Sequence, residues 1–85
     1  LRRQIDDADE QLLAILAKRM RISRDIGQFK KEHNMTVLQA GRYNEVLEKR
    51  MAQGQLCGLS TTFIKRMFEE IHEESVRQQL ETINQ

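Results

Sequence analysis

The stretch LRRQIDDADEQLLAILAKRMRISRDIGQFKKE, residues 1–32, decides the fold of this chain. Its apolar residues recur at alternating steps of three and four, which is the spacing of one face of an α-helix. The members of this apolar stripe are Ile5, Ala8, Leu12, Ile15, Ile22, Ile26 and Phe29. Arg19 occupies the one remaining position of the stripe. The stretch therefore predicts a long amphipathic helix with a cation in the middle of its apolar face.

Two further helices are predicted in the rest of the chain, which contains no proline and is rich in good helix formers. Helix two is predicted over residues 40–53, and Gly54 is expected to stop it. Ser60 is the expected N-cap of helix three, which runs to about Ile83. The predicted fold class is all-α, a single domain over residues 1–85 with one long, one short and one medium helix.

The first helix is too long for a compact chain of 85 residues. At about 1.5 Å per residue it would measure about 48 Å, whereas a compact chain of this length has a radius of gyration of about 12 Å. The stripe is apolar along nearly its whole length, and each large apolar side chain left in water forgoes about 1.5–3 kcal/mol. We therefore expect an intertwined homodimer in which the first helices of two chains pack together.

Charge and composition argue against several classes of protein. The chain has 14 Lys and Arg against 13 Asp and Glu, and the two signs are interleaved, which does not indicate nucleic-acid binding. No apolar run approaches the roughly 20 residues of a membrane span. The single cysteine, Cys57, is expected to be an unpaired thiol from a reducing compartment. We expect a cytoplasmic protein that binds neither nucleic acid nor a membrane.

Several polar side chains fall where the helices should be apolar. Arg19 alone could extend its charge to solvent or pair within the dimer with an acid such as Glu74. Lys30, however, follows eleven residues later, about 16 Å along nearly the same line of the helix. In helix three, Ser75 and Gln79 continue the apolar row at steps of four. The facing helices therefore present two cations and two neutral hydrogen-bonding groups.

Three arginines and a tyrosine extend this set. Arg42 and Tyr43 open helix two, where backbone N–H groups and the helix dipole favour an anion. Arg2 and Arg3 are expected to be ordinary solvated charges unless the dimer brings them over the pocket of the partner.

The residue set contains no obvious base or nucleophile. His33 and His72 are expected to be non-functional, and neither lies in a Cys/His/Asp grouping with the spacing of metal ligands. Several cations with neutral donors suit a small substrate with two carboxylates, whose reaction builds negative charge on an oxygen. A pericyclic rearrangement meets that description, and we expect neither metal nor cofactor.

The residues in this order resemble the all-helical chorismate mutase family over essentially the whole chain. The first segment, LRRQIDDADEQLLAILAKRM, is similar to the family's first helix, and IGQFK ends in the family's lysine. GRYNEVLEKR carries the helix-two arginine, and EESVRQQ carries the helix-three Ser-x-x-x-Gln motif. The matching positions are Arg2, Ile5, Asp9, Arg19, Lys30, Arg42, Ser75 and Gln79.

The resemblance implies conversion of chorismate to prephenate by a Claisen rearrangement, in an intertwined dimer with two sites. It implies that Arg19 and the partner's Arg2 bind the substrate carboxylates, with Ser75 assisting. Lys30 and Gln79 would donate hydrogen bonds to the ether oxygen as its bond to the ring breaks. Arg19, Lys30 and Gln79 are thus the expected catalytic residues, within a binding set that also includes Arg2, Gln39, Arg42, Tyr43 and Ser75.

Two positions depart from the family. Where relatives often have acids that bind the substrate's ring hydroxyl, this chain has Gln39 and Tyr43, which can still form hydrogen bonds. Arg42 would support the loop and pocket. Gln79 is neutral, in a position that varies between Gln and Glu, so activity should be flat around neutral pH.

Alternative functions remain open at this point. An isochorismate-pyruvate lyase resembles this family in fold and cationic pocket. A non-catalytic helical module that dimerises a longer enzyme or senses a ligand of the aromatic pathway is the other alternative. The segment NMTVLQAGRYNEVL resembles chorismate mutase domains fused to 3-deoxy-7-phosphoheptulonate synthase, the enzyme at the entry of the shikimate pathway.

Overall fold

A computed structural model describes residues 1–85, apart from the side chain of residue 40. Helix α1 spans Arg2–Glu32, α2 spans Ala40–Leu56 and α3 spans Thr61–Ile83. The described residues contain no strand, so the predicted all-α class with one long, one short and one medium helix is confirmed. No helix of the described chain combines the length and the apolar character needed to cross a bilayer.

Helix α1 begins one residue after its predicted start and ends at its predicted end. It continues through Gly27, as the uninterrupted periodicity indicated. Beyond its end, Asn34 adopts a φ of 54°, in the left-handed region that asparagine tolerates better than most residues. Lys30 and Lys31 lie in the last turn, where positive charge is favourable near the helix dipole.

The predicted end of α2 was wrong. The helix continues through Gly54 to Leu56, and Gly58, with a φ of 83°, supplies the left-handed residue after the helix. A Cβ atom at Gly54 would lie 2.6 Å from Cγ1 of Ile64 in α3. Gly54 therefore permits a close approach between the two helices instead of stopping α2.

Helix α3 packs against both other helices and is the centre of the fold. Its predicted N-cap is confirmed, because the Ser60 hydroxyl accepts a hydrogen bond of 3.0 Å from the backbone N–H of Phe63. The molecule measures 47 × 27 × 14 Å and has a radius of gyration of 14.9 Å, against about 12 Å for a compact chain of this length. The single chain is thus a long, flat arrangement of helices.

One chain builds almost no core of its own. Ile64, at 2% exposure, is the only buried apolar side chain among the described residues. The apolar stripe of α1 stays largely open, with Leu12 at 50% and Ile15 at 60% exposure. Beside it, α1 and α3 enclose an apolar groove of about 700 Å³ whose lining includes Leu12, Ile15, Phe63 and Met67.

Candidate active site

A cavity of about 360 Å³ opens between α1, the linker of residues 33–39, α2 and α3. This volume lies in the usual range for sites that bind small molecules. The lining residues are Arg19, Ile26, Lys30, Val37, Gln39, Arg42, Tyr43, Val46, Leu47, Arg50, Phe68, His72, Val76 and Gln79. All three helices therefore contribute polar groups to one small-molecule cavity.

The charge of this cavity is strongly positive. Four cations line it, and we refer to them as the cationic wall: Arg19, Lys30, Arg42 and Arg50. None of the described lining residues is an aspartate or a glutamate. Within the described part of the chain, no cluster of three or more His, Cys, Asp or Glu side chains could hold a metal ion. The side chains of the cavity thus favour a small anion of more than one charge.

Arg19 has no acidic partner among the described residues. Glu74, the acid considered for it from the sequence, instead forms an ion pair with Arg77 on its own helix. Burial lowers the pKa of Arg19, and the positive charge of Arg50 lowers it further. The guanidinium carbon lies 6.0 Å from the centre of the Phe68 ring, within range of a cation–π interaction. A half-buried guanidinium with this environment is ready to bind an anionic ligand.

Lys30 and Gln79 form a pair on the cavity wall. The Lys30 ammonium donates hydrogen bonds to the Val37 carbonyl oxygen at 2.9 Å and to Oε1 of Gln79 at 3.1 Å. Burial lowers the pKa of Lys30, and Gln79 is only 8% exposed. The third ammonium hydrogen and the Gln79 amide N–H groups remain as donors. Two N–H donors are therefore held side by side.

The close approach of α1 to α3 at this pair depends on Gly27. A Cβ atom there would lie 3.0 Å from Cα and 3.1 Å from the carbonyl oxygen of Gln79. Both are backbone atoms of a helix, which cannot move aside as a side chain can. Gly27 thus sets how near Gln79 comes to Lys30, three residues further along α1.

Ser75 is buried but does not line the cavity. Its hydroxyl is hydrogen-bonded to the hydroxyl of Ser23 in α1, which also donates to the carbonyl oxygen of Arg19 at 3.1 Å. The two serines therefore connect α3 to the turn of α1 that carries Arg19. Ser23 was not singled out from the sequence, although it follows Arg19 by one helical turn.

The cavity brings together most of the predicted binding residues. Arg2 is exposed at the start of α1, about 25 Å along the helix from Arg19, and does not line the cavity of its own chain. The predicted residues that do line it are Arg19, Lys30, Gln39, Arg42, Tyr43 and Gln79.

Two cavity residues were missed as functional candidates from the sequence. Arg50 was not among the predicted site residues, and it is part of the cationic wall. His72, which was expected to be non-functional, lines the cavity and stacks on Tyr43 with ring centroids 3.9 Å apart. A signal existed, because His72 follows Phe68 and precedes Val76 by one turn each on the face of α3 that lines the cavity.

The fold and the cavity define a class of protein. It is a small helical domain with a cationic cavity among preorganised donors, an arrangement that suits a compact polyanion and a reaction that builds negative charge on an oxygen. The family model for chorismate mutase type II matches residues 1–80. The chain belongs to the chorismate mutase type II family.

Individual relatives agree with this assignment. The chain is 33% identical over 85 residues to a bifunctional chorismate mutase/prephenate dehydratase of Escherichia coli, strain K12, covering 100% of the chain and 22% of the relative. It is 32% identical over 83 residues to the enzyme of that name from Buchnera aphidicola subsp. Schizaphis graminum, with 98% and 22% covered. The T-protein of Haemophilus influenzae is 27% identical over 75 residues, with 88% and 20% covered.

The chain spans about a fifth of the length of these relatives. Two of their names combine chorismate mutase with prephenate dehydratase. These names give no support to the expected fusion with 3-deoxy-7-phosphoheptulonate synthase.

Proposed function

We propose that this domain catalyses the Claisen rearrangement of chorismate to prephenate, a step of phenylalanine and tyrosine biosynthesis. Membership of the chorismate mutase type II family supports this. The single observation that carries it is the environment of Arg19: a guanidinium without an acidic partner in the described chain, in a cavity that also holds the Lys30–Gln79 pair. Chorismate, with two carboxylates and an ether oxygen, matches both features.

The rearrangement needs no proton transfer. The ether C–O bond breaks while a C–C bond forms from the side chain to the ring, so that the product is an isomer of the substrate. Negative charge builds on the ether oxygen in the transition state, and Lys30 and Gln79 donate N–H groups to it. Because the pair is already held by Val37 and by the packing of α1 on α3, little reorganisation is required at the moment of reaction.

The cationic wall fixes the substrate. Arg19 binds one carboxylate of the substrate. Arg42 and Arg50 line the same cavity and attract the remaining negative charge of the substrate. Binding both carboxylates restricts the flexible side chain of the substrate to a geometry in which the reacting carbons are close, which is the entropic part of catalysis. Ser75 acts on Arg19 through Ser23 in this arrangement.

The functional unit we propose is an intertwined homodimer. Among its described side chains, a single chain has one buried apolar residue, a stripe of exposed apolar residues on α1 and an apolar groove beside it. The α1 helix of a second copy has the matching apolar face and the length to cover both. In that arrangement Arg2, remote from the cavity of its own chain, reaches the cavity of the partner and binds a substrate carboxylate.

Leu12→Glu tests this assembly. A carboxylate in the seam between two α1 helices would lose most of its hydration without a partner, which costs several kcal/mol. We expect the variant to be monomeric at concentrations at which the wild type is dimeric, with turnover of chorismate reduced at least tenfold. Analytical ultracentrifugation and a chorismate assay over a concentration series measure both.

The matched control is Leu56→Glu. Leu56 is 90% exposed at the end of α2, away from the apolar stripe, and this variant should remain dimeric and active. A wild type that sediments as a monomer with full activity would refute the dimer.

The activity itself is tested by following the loss of chorismate with the purified domain and identifying the product. We expect prephenate at a rate far above that of the uncatalysed reaction. Release of pyruvate from isochorismate, with no turnover of chorismate, would favour an isochorismate-pyruvate lyase. Turnover of neither compound would favour a non-catalytic dimerisation or ligand-sensing module.

We also propose a cytoplasmic location. Cys57 is a free, exposed thiol, which is typical of proteins from reducing compartments.

A further inference from the structure

Two aromatic rings form one side of the cavity. Tyr43 of α2 and His72 of α3 stack at 3.9 Å between centroids, with an interplanar angle of 27°. Within the described chain, the Tyr43 hydroxyl and the two His72 ring nitrogens form no hydrogen bond. These atoms are not fully enclosed, because every fully buried polar side-chain atom of the described chain has a hydrogen-bond partner. The polar atoms of this pair are therefore available to a ligand.

The remainder of the cavity is rich in donors and poor in acceptors. The cationic wall can only donate hydrogen bonds, and Oε1 of Gln79 already accepts one from Lys30. No carboxylate belongs to the described lining. Among the uncharged side chains of the described lining, those whose acceptor atoms form no hydrogen bond within the described chain are Gln39, Tyr43 and His72.

The geometry points to His72 as the acceptor for a hydroxyl of the substrate, with the stack on Tyr43 holding the imidazole in place. This inference rests on the proposed function and concerns the part of chorismate that the cationic wall does not bind, its ring hydroxyl. A hydroxyl that loses its water must donate its proton to some acceptor, or its desolvation is uncompensated. His72 thereby determines which dianions fit the site.

The charge state of His72 suits this role. Burial lowers the pKa of the imidazole, and the positive charges of Arg19 and Lys30 lower it further, so the ring is neutral at neutral pH. A neutral imidazole always has one nitrogen that accepts a hydrogen bond. Glu69 and Glu73 of the same helix share a second, shallower cavity with His72 but do not line the main one.

The two competing acceptors are weaker candidates. Gln39 is exposed in the linker, where water competes for its carbonyl, and its amide donates to the Thr36 carbonyl oxygen at 3.4 Å. Burial raises the pKa of Tyr43, and the negative charge of Glu69 raises it further, so its hydroxyl keeps its proton and is free to donate. His72 differs from Gln39 in being half-buried on a regular helix, and from Tyr43 in presenting an unprotonated nitrogen as its acceptor.

The experiment combines a change in the protein with a change in the substrate. Rates with chorismate and with the analogue that has hydrogen in place of the ring hydroxyl are measured for the wild type, His72→Phe and Tyr43→Phe. Phenylalanine at position 72 keeps the stack and removes the acceptor. We expect the wild type to prefer chorismate about tenfold in kcat/KM, the free-energy equivalent of one hydrogen bond, and His72→Phe to prefer it less than about twofold.

Tyr43→Phe tests the competing ring, because it also keeps the stack and removes the hydroxyl of the other candidate acceptor. We expect it to retain most of the preference for chorismate. The inference is overturned if His72→Phe keeps the wild-type preference, or if Tyr43→Phe alone abolishes it. Absence of turnover by the wild type on chorismate would instead overturn the proposed function, and this inference with it.

A measurement on the wild type covers the case in which His72→Phe fails to fold. The ¹⁵N shifts of the His72 imidazole are recorded with and without prephenate, which keeps a ring hydroxyl and both carboxylates. His33→Gln assigns the signals, since these are the two histidines of the chain. A shift of the unprotonated nitrogen in the direction of hydrogen bonding supports the inference, and an unchanged shift at saturation overturns it.

Discussion

Lys30→Ala is expected to lower kcat on chorismate by about 10²- to 10³-fold, because one preorganised donor to a reacting oxygen contributes about 3–4 kcal/mol to the barrier. The Lys30 ammonium is held by the Val37 carbonyl oxygen and Oε1 of Gln79, so it is already in place before the substrate reacts. The substitution also frees the Gln79 amide to rotate. Steady-state kinetics on chorismate, with the fold verified by circular dichroism, measure the effect.

The control for this variant is Lys31→Ala, which removes the neighbouring lysine. Lys31 is exposed, and its ammonium donates to the carbonyl oxygen of Gln85 at 2.8 Å, away from the cavity. We expect its kinetics to stay within about twofold of the wild type. If Lys30→Ala raises KM and leaves kcat unchanged, Lys30 binds the ground state and transition state equally, and its assignment as a catalytic donor is wrong.

Gln79→Glu is expected to change the pH dependence of the reaction as well as its rate. The wild type needs no ionisation at position 79 and should be flat between about pH 6 and 8. The introduced carboxylate has no proton to donate and would face the ether oxygen as it gains negative charge. We therefore expect a loss of at least about 10²-fold in kcat at pH 7.5.

The sign of the pH effect follows from which form is active. Only the protonated carboxyl can donate, so the rate of Gln79→Glu should rise as pH falls, whereas the wild-type rate does not. The Lys30 ammonium, 3.1 Å from Oε1 of Gln79, would favour the ionised form and move this recovery toward lower pH. Rates from about pH 5 to 8 show whether it occurs.

Gln55→Glu is the charge-matched control, since Gln55 is exposed near the end of α2. It should keep the flat profile of the wild type. A Gln79→Glu variant with full activity at pH 7.5 would remove Gln79 from the proposed mechanism.

The helices could be predicted from the sequence because their signals are local. The periodicity of residues 1–32 gave α1 to within one residue, and Ser60 gave the start of α3 through its own hydrogen bond to the Phe63 N–H. Gly54 shows the limit of such signals. A glycine can end a helix or admit a neighbouring one, and only the position of Ile64 decides between the two.

The same limit applies to the site. Arg19 and Lys30 could be paired from the sequence because both lie on one helix, where spacing fixes geometry. Arg50, His72 and Ser23 could not be ranked, because their roles depend on how α2 and α3 rotate against α1.

The sequence by itself determined that the chain is helical, that α1 carries an apolar stripe too long for one chain, and that Arg19 interrupts this stripe. These properties follow from the 3.6-residue repeat, which relates each residue to its neighbours along one helix. Only the tertiary structure decided that Arg19 has no acidic partner among the described residues and that His72 stacks on Tyr43 in the cavity. The Glu74–Arg77 pair is local, because the two residues lie three apart on α3. Which groups reach Arg19, and which rings meet in the cavity, depends instead on distances of a few ångströms between helices, which are set by packing at close approaches such as Gly27 and Gly54.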